Sequence, residues 1–352
     1  MNVNERSTNF ATFLETHDIC FKTVEMHTGG EPVRIVVSGY PLLEGDTILE
    51  KRNYAKDAKD HFRKMLMFEP RGHHDMYGVL LVKPDNQRAD IGVLFIHNEG
   101  YSTMCGHAVI SLGRFAVDYN YVKLTEPETQ VNIQCPCGLV KTTVECKDGK
   151  TGAVRFESVV AFVSHTGLQV EVPGYGLVTV DIVYGGAFYA IITDTELGVN
   201  VVDTPIEDIA NAGQAVTSAL QGSTVIEHPD SEDLSFLYGT IITDGKDEWH
   251  AEKPTSSICI FAEKQVDRSP CGSGTTGRVA LQYHKGQIGL GQQRIFKNSK
   301  TMSQFTATAL REATLGKYKG VVVEVKGHGY YTGEGLYIRE AKDDLGRGFL
   351  IN

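Results

Sequence analysis

The chain has no excess of positive charge: Lys and Arg number 34 against 44 Asp and Glu, a formal net charge of −10 over 352 residues. With no basic surplus to neutralise phosphates, nucleic-acid binding is excluded as a main role. No apolar run approaches the roughly 18 residues that mark a bilayer-crossing helix, so no membrane partner is expected. The first residues, MNVNERSTNFATFLETHD, lack the basic-then-apolar order of a secretory signal. Low-complexity tracts and a solenoid period are also missing. Cysteine is sparse, at 20, 105, 135, 137, 146, 259 and 271, and an odd set of this kind reads as reduced thiols. By default, then, a cytoplasmic location is expected. Hydrophobic content of 41% and charged content of 22% are ordinary globular values, and the length predicts two domains or one large one.

After a polar leader at 1–19, short β-rich runs dominate. They lie at 21–25, 33–37, 78–82, 91–96, 131–134 and 139–145, then at 177–184, 187–192, 237–243, 258–262, 305–310 and 320–325. Helical periodicity predicts a helix over 49–67, burying Tyr54, Phe62, Met65 and Leu66, and another over 206–221, opened by Thr204-Pro205. Two further helices each open on Cys-Gly. The first, CGHAVISLGRFAVDY from Cys105, is apolar nearly all round, which predicts burial on every side. The second, CGSGTTGRVALQYHK from Cys271, has a Gly-rich start suited to close backbone approach. The two cysteines lie 166 residues apart (271 − 105), nearly half the chain. This placement suggests two halves of similar design, each presenting a cysteine at the start of a central helix.

A thiol at a helix N-terminus feels the positive end of the macrodipole and free backbone N–H groups, which favour thiolate. Two such thiols, one per half, point to a site between the halves with a thiol on each face of a substrate. Cofactor-free inversion at the α-carbon of an amino acid can use that arrangement, one group removing the proton and the other delivering one to the opposite face. A reference pKa of about 8.5 lets one thiol and one thiolate coexist near neutrality. Cys20, Cys146 and Cys259 read as ordinary buried thiols.

Rival readings are weaker. Gly272-Ser273-Gly274-Thr275-Thr276-Gly277 fits G-x-G-x-x-G, but no Asp or Glu occurs from Cys271 until Glu312, against a dinucleotide fingerprint. His73, His74, Asp75, His97, Cys135 and Cys137 show no recognised zinc spacing, so no metal and no cofactor are expected. A cysteine hydrolase would pair Cys105 with a histidine such as His107, but leaves the second Cys-Gly helix start without a purpose. A non-catalytic amino-acid-binding protein with the same cleft is the remaining alternative.

Met104-Cys105-Gly106-His107 and Asp267-Arg268-Ser269-Pro270-Cys271-Gly272-Ser273-Gly274 resemble the two catalytic motifs of the proline racemase family. That family includes 4-hydroxyproline 2-epimerase and trans-3-hydroxy-L-proline dehydratase. The blocks 26–32, 69–73, 75–78 and 184–188 agree, and the resemblance covers about residues 20–352. It implies an α+β, diaminopimelate epimerase-like fold: two pseudo-symmetric halves, each a barrel-like sheet around a central helix. The first half would comprise 20–165 plus 328–352 and the second 166–327. It also implies a proline or hydroxyproline substrate, no cofactor, and compatibility with a homodimer. Matched residue by residue, Cys105 and Cys271 correspond to the acid/base thiols. Gly106, His107, Gly272 and Ser273 match carboxylate-binding positions, Asp267 matches the aspartate near the ring nitrogen, and Tyr77 and Phe261 match ring-packing aromatics. The overall wording, including 135–140 and 228–234, is most similar to the animal trans-3-hydroxy-L-proline dehydratases, which typically carry threonine where this chain has Cys271. Dehydration needs one base and loss of the C3 hydroxyl, whereas inversion needs a second proton donor. Cys271 therefore argues for a racemase or epimerase, with dehydratase as the alternative.

Overall fold

A computed structural model describes residues 19–351. The expected leader lies outside them except for Ile19, which opens the strand Ile19–Thr28. Among the described residues, no helix is long and apolar enough to cross a membrane.

The same order of strand pairings occurs twice. In the first pass, Glu31–Ser38 runs parallel to Tyr77–Val82, which pairs antiparallel with Ile91–His97. That strand runs parallel to Glu128–Cys135, which pairs antiparallel with Gly138–Lys147. In the second pass, Phe188–Thr193, Leu237–Thr243, Thr255–Phe261, Gln293–Asn298 and Gln304–Leu315 repeat the sequence parallel, antiparallel, parallel, antiparallel. Parallel neighbours need a crossover, and helices occupy all four of these. Ile48–Ala58 and Asp60–Met67 make the first crossover of one half, and Ile206–Gln221 makes its counterpart in the other. Gly106–Asp118 and Gly272–His284 make the second crossovers. The second set closes into a ring through Tyr318–Gly327, Ala161–Val172 and Gly176–Tyr184. Gly329–Arg339 returns to pair with Ile19–Thr28. The fold is mixed α+β with few helices and a closed strand barrel, as the sequence led us to expect.

The Cys105 helix is buried from Gly106 to Val117 except at Arg114, with Val109, Ile110, Leu112 and Phe115 fully excluded from water. Each such side chain contributes about 1.5–3 kcal/mol of hydrophobic stabilisation. The helix expected over 49–67 is instead two. A capping box starts the first, with Thr47 Oγ1 accepting from the Glu50 N–H, and the chain breaks at Lys59, whose φ of −127° and ψ of 10° are not helical. Met65 and Leu66 are buried as expected, while Tyr54 and Phe62 are only partly covered. Arg52 and Arg63 go inside in their place, because their guanidinium groups donate to the carbonyls of Tyr101 (2.7 Å) and His97 (2.8 Å).

Candidate active site

All nine residues singled out in the sequence line one cavity: Tyr77, Cys105, Gly106, His107, Phe261, Asp267, Cys271, Gly272 and Ser273. Met104, Tyr189, Tyr238 and Cys259 complete its wall, and its volume is about 20 Å³. The two Cys-Gly helix starts meet there backbone to backbone. A Cβ built on Gly106 would sit 2.4 Å from Gly272 Cα, and one on Gly272 would sit 2.4 Å from Gly106 Cα. The glycines after Cys271 serve the same close packing: a Cβ on Gly274 would meet Ile241 Cδ1 at 2.3 Å, and one on Gly277 would meet Val183 Cγ2 at 2.6 Å. They are helix-packing glycines, consistent with the rejection of a dinucleotide fingerprint.

The two thiols are held differently. Cys105 is an extended N-cap (φ −144°), and its Sγ accepts from the Ala108 N–H at 3.4 Å and lies 3.1 Å from His107 Nδ1. Burial nevertheless pushes the Cys105 thiol well above its ordinary pKa, aided by the charges of Asp267 and Glu31; the Ala108 N–H and the Tyr77 hydroxyl act the other way. The expected helix-terminus effect is therefore present for Cys105 but outweighed by desolvation. Cys271 also precedes its helix, but at φ 64°, ψ 97°, and its side chain caps no N–H. Its Sγ points to Tyr189 Oη at 3.7 Å, and that hydroxyl shares a 2.8 Å hydrogen bond with Ser273 Oγ. A left-handed φ at a non-glycine residue is costly, about 1–3 kcal/mol, and the surroundings must enforce it. They do so here: Asp267 Oδ1 accepts from the Ser269 N–H (2.7 Å), and Ser269 Oγ accepts from the Cys271 N–H (3.1 Å). The buried Asn298 clamps the same loop by donating to the carbonyls of Asp267 and Ser269, both at 2.8 Å.

Charge in the cavity is sparse. Burial raises the Asp267 pKa to about 6, opposed by its hydrogen bonds to Ser269 and Cys271 and by Arg268. Burial lowers His107 to about 3, so its imidazole is neutral at ordinary pH. Tyr77, Tyr189 and Tyr238 are pushed upward by burial and remain protonated donors. An aromatic wall forms from Tyr238 stacked on Phe261 (5.4 Å between centroids), with Tyr77 edge-on to Phe261 (6.3 Å) and to His107 (4.8 Å). The first N–H groups of each helix have no partner within it, which suits an anion. Among the described residues, no group of three His, Cys, Asp or Glu is arranged to hold a metal ion.

Four wall residues carried no expected role, Met104 among them although it opens the first cysteine motif. Cys259 read as an ordinary core thiol, yet it lies two residues from Phe261 on one strand, and alternation puts i and i+2 on one face. Tyr238 stands near the start of Leu237–Thr243, the counterpart of the strand that opens on Tyr77. Carrying the internal repeat that far would have found it. Tyr189 directly follows the 184–188 block, and Met104 directly precedes Cys105.

A family model described as proline racemase matches residues 23–350. The chain belongs to the proline racemase family. It is 57% identical over 329 residues to a trans-L-3-hydroxyproline dehydratase of Xenopus tropicalis, covering 93% of this chain and 94% of that protein. It is 56% identical over 332 residues to the human trans-3-hydroxy-L-proline dehydratase, with the same shares. A 3-hydroxyproline 2-epimerase of Burkholderia multivorans is 41% identical over 329 residues, covering 94% of this chain and 97% of that protein. Among solved structures, a hydroxyproline epimerase from Agrobacterium vitis with bound trans-4-hydroxy-L-proline superposes with a TM-score of 0.88 at 25% identity, covering 95% of this chain and 96% of that one. Relatives in this family thus include both isomerases and lyases of hydroxyproline, and the chain is an enzyme of that kind.

Proposed function

We propose that this proline racemase family member inverts the α-carbon of a proline-type imino acid, with 3-hydroxyproline as its substrate class. Cys105 and Cys271 act as the opposed acid and base. The observation that carries this reading is the meeting of two thiols, each at the start of a pseudo-symmetric helix, on one small cavity. The 3-hydroxy preference is supported by the names of the relatives at 41–57% identity.

In this reading the substrate carboxylate lies against the N–H groups of Gly106, His107, Gly272 and Ser273, which also receive negative charge as the α-proton leaves. Asp267 faces the ring ammonium, and Tyr77 and Phe261 pack on the ring. One thiolate takes the α-proton, the other thiol protonates the opposite face, and their protonation states exchange. The neutral imidazole of His107, 3.1 Å from Cys105 Sγ, orients that thiol without adding charge.

A second reading is favoured by the 57% identity to a named dehydratase. Cys105 removes the α-proton, the C3–O bond breaks, the hydroxyl leaves as water after protonation, and the enamine product becomes pyrroline-2-carboxylate. Both readings share Cys105, the carboxylate site and Asp267; they differ in whether Cys271 donates a proton. Nuclear magnetic resonance in D2O separates them. L-proline, trans-4-hydroxy-L-proline and trans-3-hydroxy-L-proline are supplied in parallel. Deuterium at the α-carbon of an inverted product supports the epimerase. Conversion of the 3-hydroxy compound alone to pyrroline-2-carboxylate supports the dehydratase, and neither α-exchange nor pyrroline-2-carboxylate from any of them refutes both.

A further inference from the structure

The turn after Ile19–Thr28 grips the loop that carries Asp267. A Cβ on Gly29 would lie 3.2 Å from Ser269 Cα, and Gly30 stands against Arg268. Glu31 follows at 0% exposure. Its Oε2 accepts the Arg268 N–H at 2.7 Å, so the carboxyl lies against the peptide that joins Asp267 to Arg268. Its Oε1 is buried and has no hydrogen-bond partner among the described residues. Arg268 does not neutralise it by an ion pair, since its guanidinium is engaged with Asp75 at 2.5 Å.

An ionised carboxylate in that position would satisfy one lone pair and leave the rest dry, with a second acid close by. Buried carboxylates stay ionised when several donors or a paired cation hold them, and otherwise keep their proton. We infer that Glu31 is a positioning residue, a neutral carboxyl that pins the Asp267–Arg268 peptide and leaves Asp267 as the ionised member of the pair. The inference rests on the reading of Asp267 and Cys105 as substrate-facing groups.

The groups that face Glu31 all bear on its proton. Burial raises its pKa well above the ordinary glutamate value, the charges of Asp267 and Asp75 raise it further, and Arg268 lowers it through its N–H and its charge. Cys105 faces Asp267, Glu31, Tyr77, the Ala108 N–H and His107. A charge on Glu31 opposes thiolate at Cys105, so a neutral Glu31 removes one of the influences that, after burial, hold that thiol protonated.

Alkylation of Cys105 by iodoacetamide, followed by peptide mass spectrometry, reads this without any turnover. It can therefore fail independently of the D2O assay. Glutamine keeps the acceptor for the Arg268 N–H and adds no charge, so near about pH 7 the Glu31→Gln rate is expected to equal the wild-type rate; a several-fold faster rate in the variant shows that the wild-type carboxyl is charged and overturns the inference. Should Glu31→Gln not fold, infrared spectra of wild-type protein labelled with 13C in the glutamate carboxyls decide. A protonated glutamate band persisting at about pH 7, where Asp267 is mostly ionised, supports the inference, and its absence overturns it.

Discussion

Adding one methyl group at Gly106 tests whether the site depends on the contact between the two helix starts. A Cβ there lies 2.4 Å from Gly272 Cα and 2.9 Å from its carbonyl carbon. Carbon atoms rest at about 3.5 Å or more, so Gly106→Ala must push the helices about 1.1 Å apart (3.5 − 2.4). The opposing atoms are backbone, so no side chain can swing away. Overpacking of this kind costs about 1–3 kcal/mol, and at about 2–4 °C per kcal/mol the Tm falls by several degrees. Catalysis suffers more, since a misplacement of about 1 Å can cost about 100-fold in rate. Deuterium exchange at the substrate α-carbon and thermal unfolding give the two readouts. Gly272→Ala meets the reciprocal clash and should behave alike. Gly333→Ala is the control: nothing lies within 4 Å of its Cβ, so stability should stay within about 0.5 kcal/mol. Wild-type exchange and Tm in Gly106→Ala would refute the argument that these glycines set the spacing of the thiols.

Cys271→Ser should abolish inversion, whereas Cys271→Thr should lose inversion and retain or improve dehydration of trans-3-hydroxy-L-proline; loss of both activities in the threonine variant defeats the branch argument. Asp267, with its pKa raised to about 6, gives substrate affinity that grows as pH rises through about 6, so kcat/KM should carry an acid limb there that Asp267→Asn removes. Its folded pKa also exceeds the unfolded value of about 3.9, so stability from this group is present at low pH and lost as pH rises from about 4 to about 6. A Tm that rises over that window in wild type relative to Asp267→Asn contradicts this. Tyr189→Phe removes the 2.8 Å bond to Ser273 Oγ and should cost about 0.5–1.5 kcal/mol of stability by denaturant unfolding; an unchanged midpoint refutes it.

The sequence showed clearly those features that rest on strong local signals. The Cys-Gly pairs, the all-apolar helix at 106–118 and the helix at 206–221 are each marked by composition or by a terminus residue, and each is found. The break at Lys59 carries no Gly or Pro to mark it, and the arginines turned inward on either side, Arg52 and Arg63, are residues that composition places outside. Lys150–Glu157, Ala161–Val172 and Gln293–Asn298 were not read as strands, nor was Gly329–Arg339. Gly329–Arg339 contains three glycines and Ala161–Val172 is largely solvent-facing at its centre, so the period-2 signal is blurred. At the site, residue types named the thiols, but the balance between a helix terminus and burial at Cys105 depends on how much water the fold excludes, which no spacing encodes.

The backbone at residue 271 bears on the conflict between the two readings. At φ 64° a β-branched residue is a conformational outlier, whereas an unbranched side chain is merely disfavoured. The loop that imposes this φ, from Asp267 through Ser269 and Asn298, suits cysteine better than the threonine that the resemblance places in the dehydratases. A threonine there would either relax the loop, moving Asp267, or bear strain of about 1–3 kcal/mol. The comparison of Cys271→Gly with Cys271→Ala isolates that strain, because both remove the thiol. Glycine should be at least as stable as alanine at 271, although an extended position such as Cys105 should favour alanine by about 0.5–1 kcal/mol. If alanine is the more stable at both positions, the strain is absent. The fit between this loop and cysteine would then no longer favour inversion over dehydration.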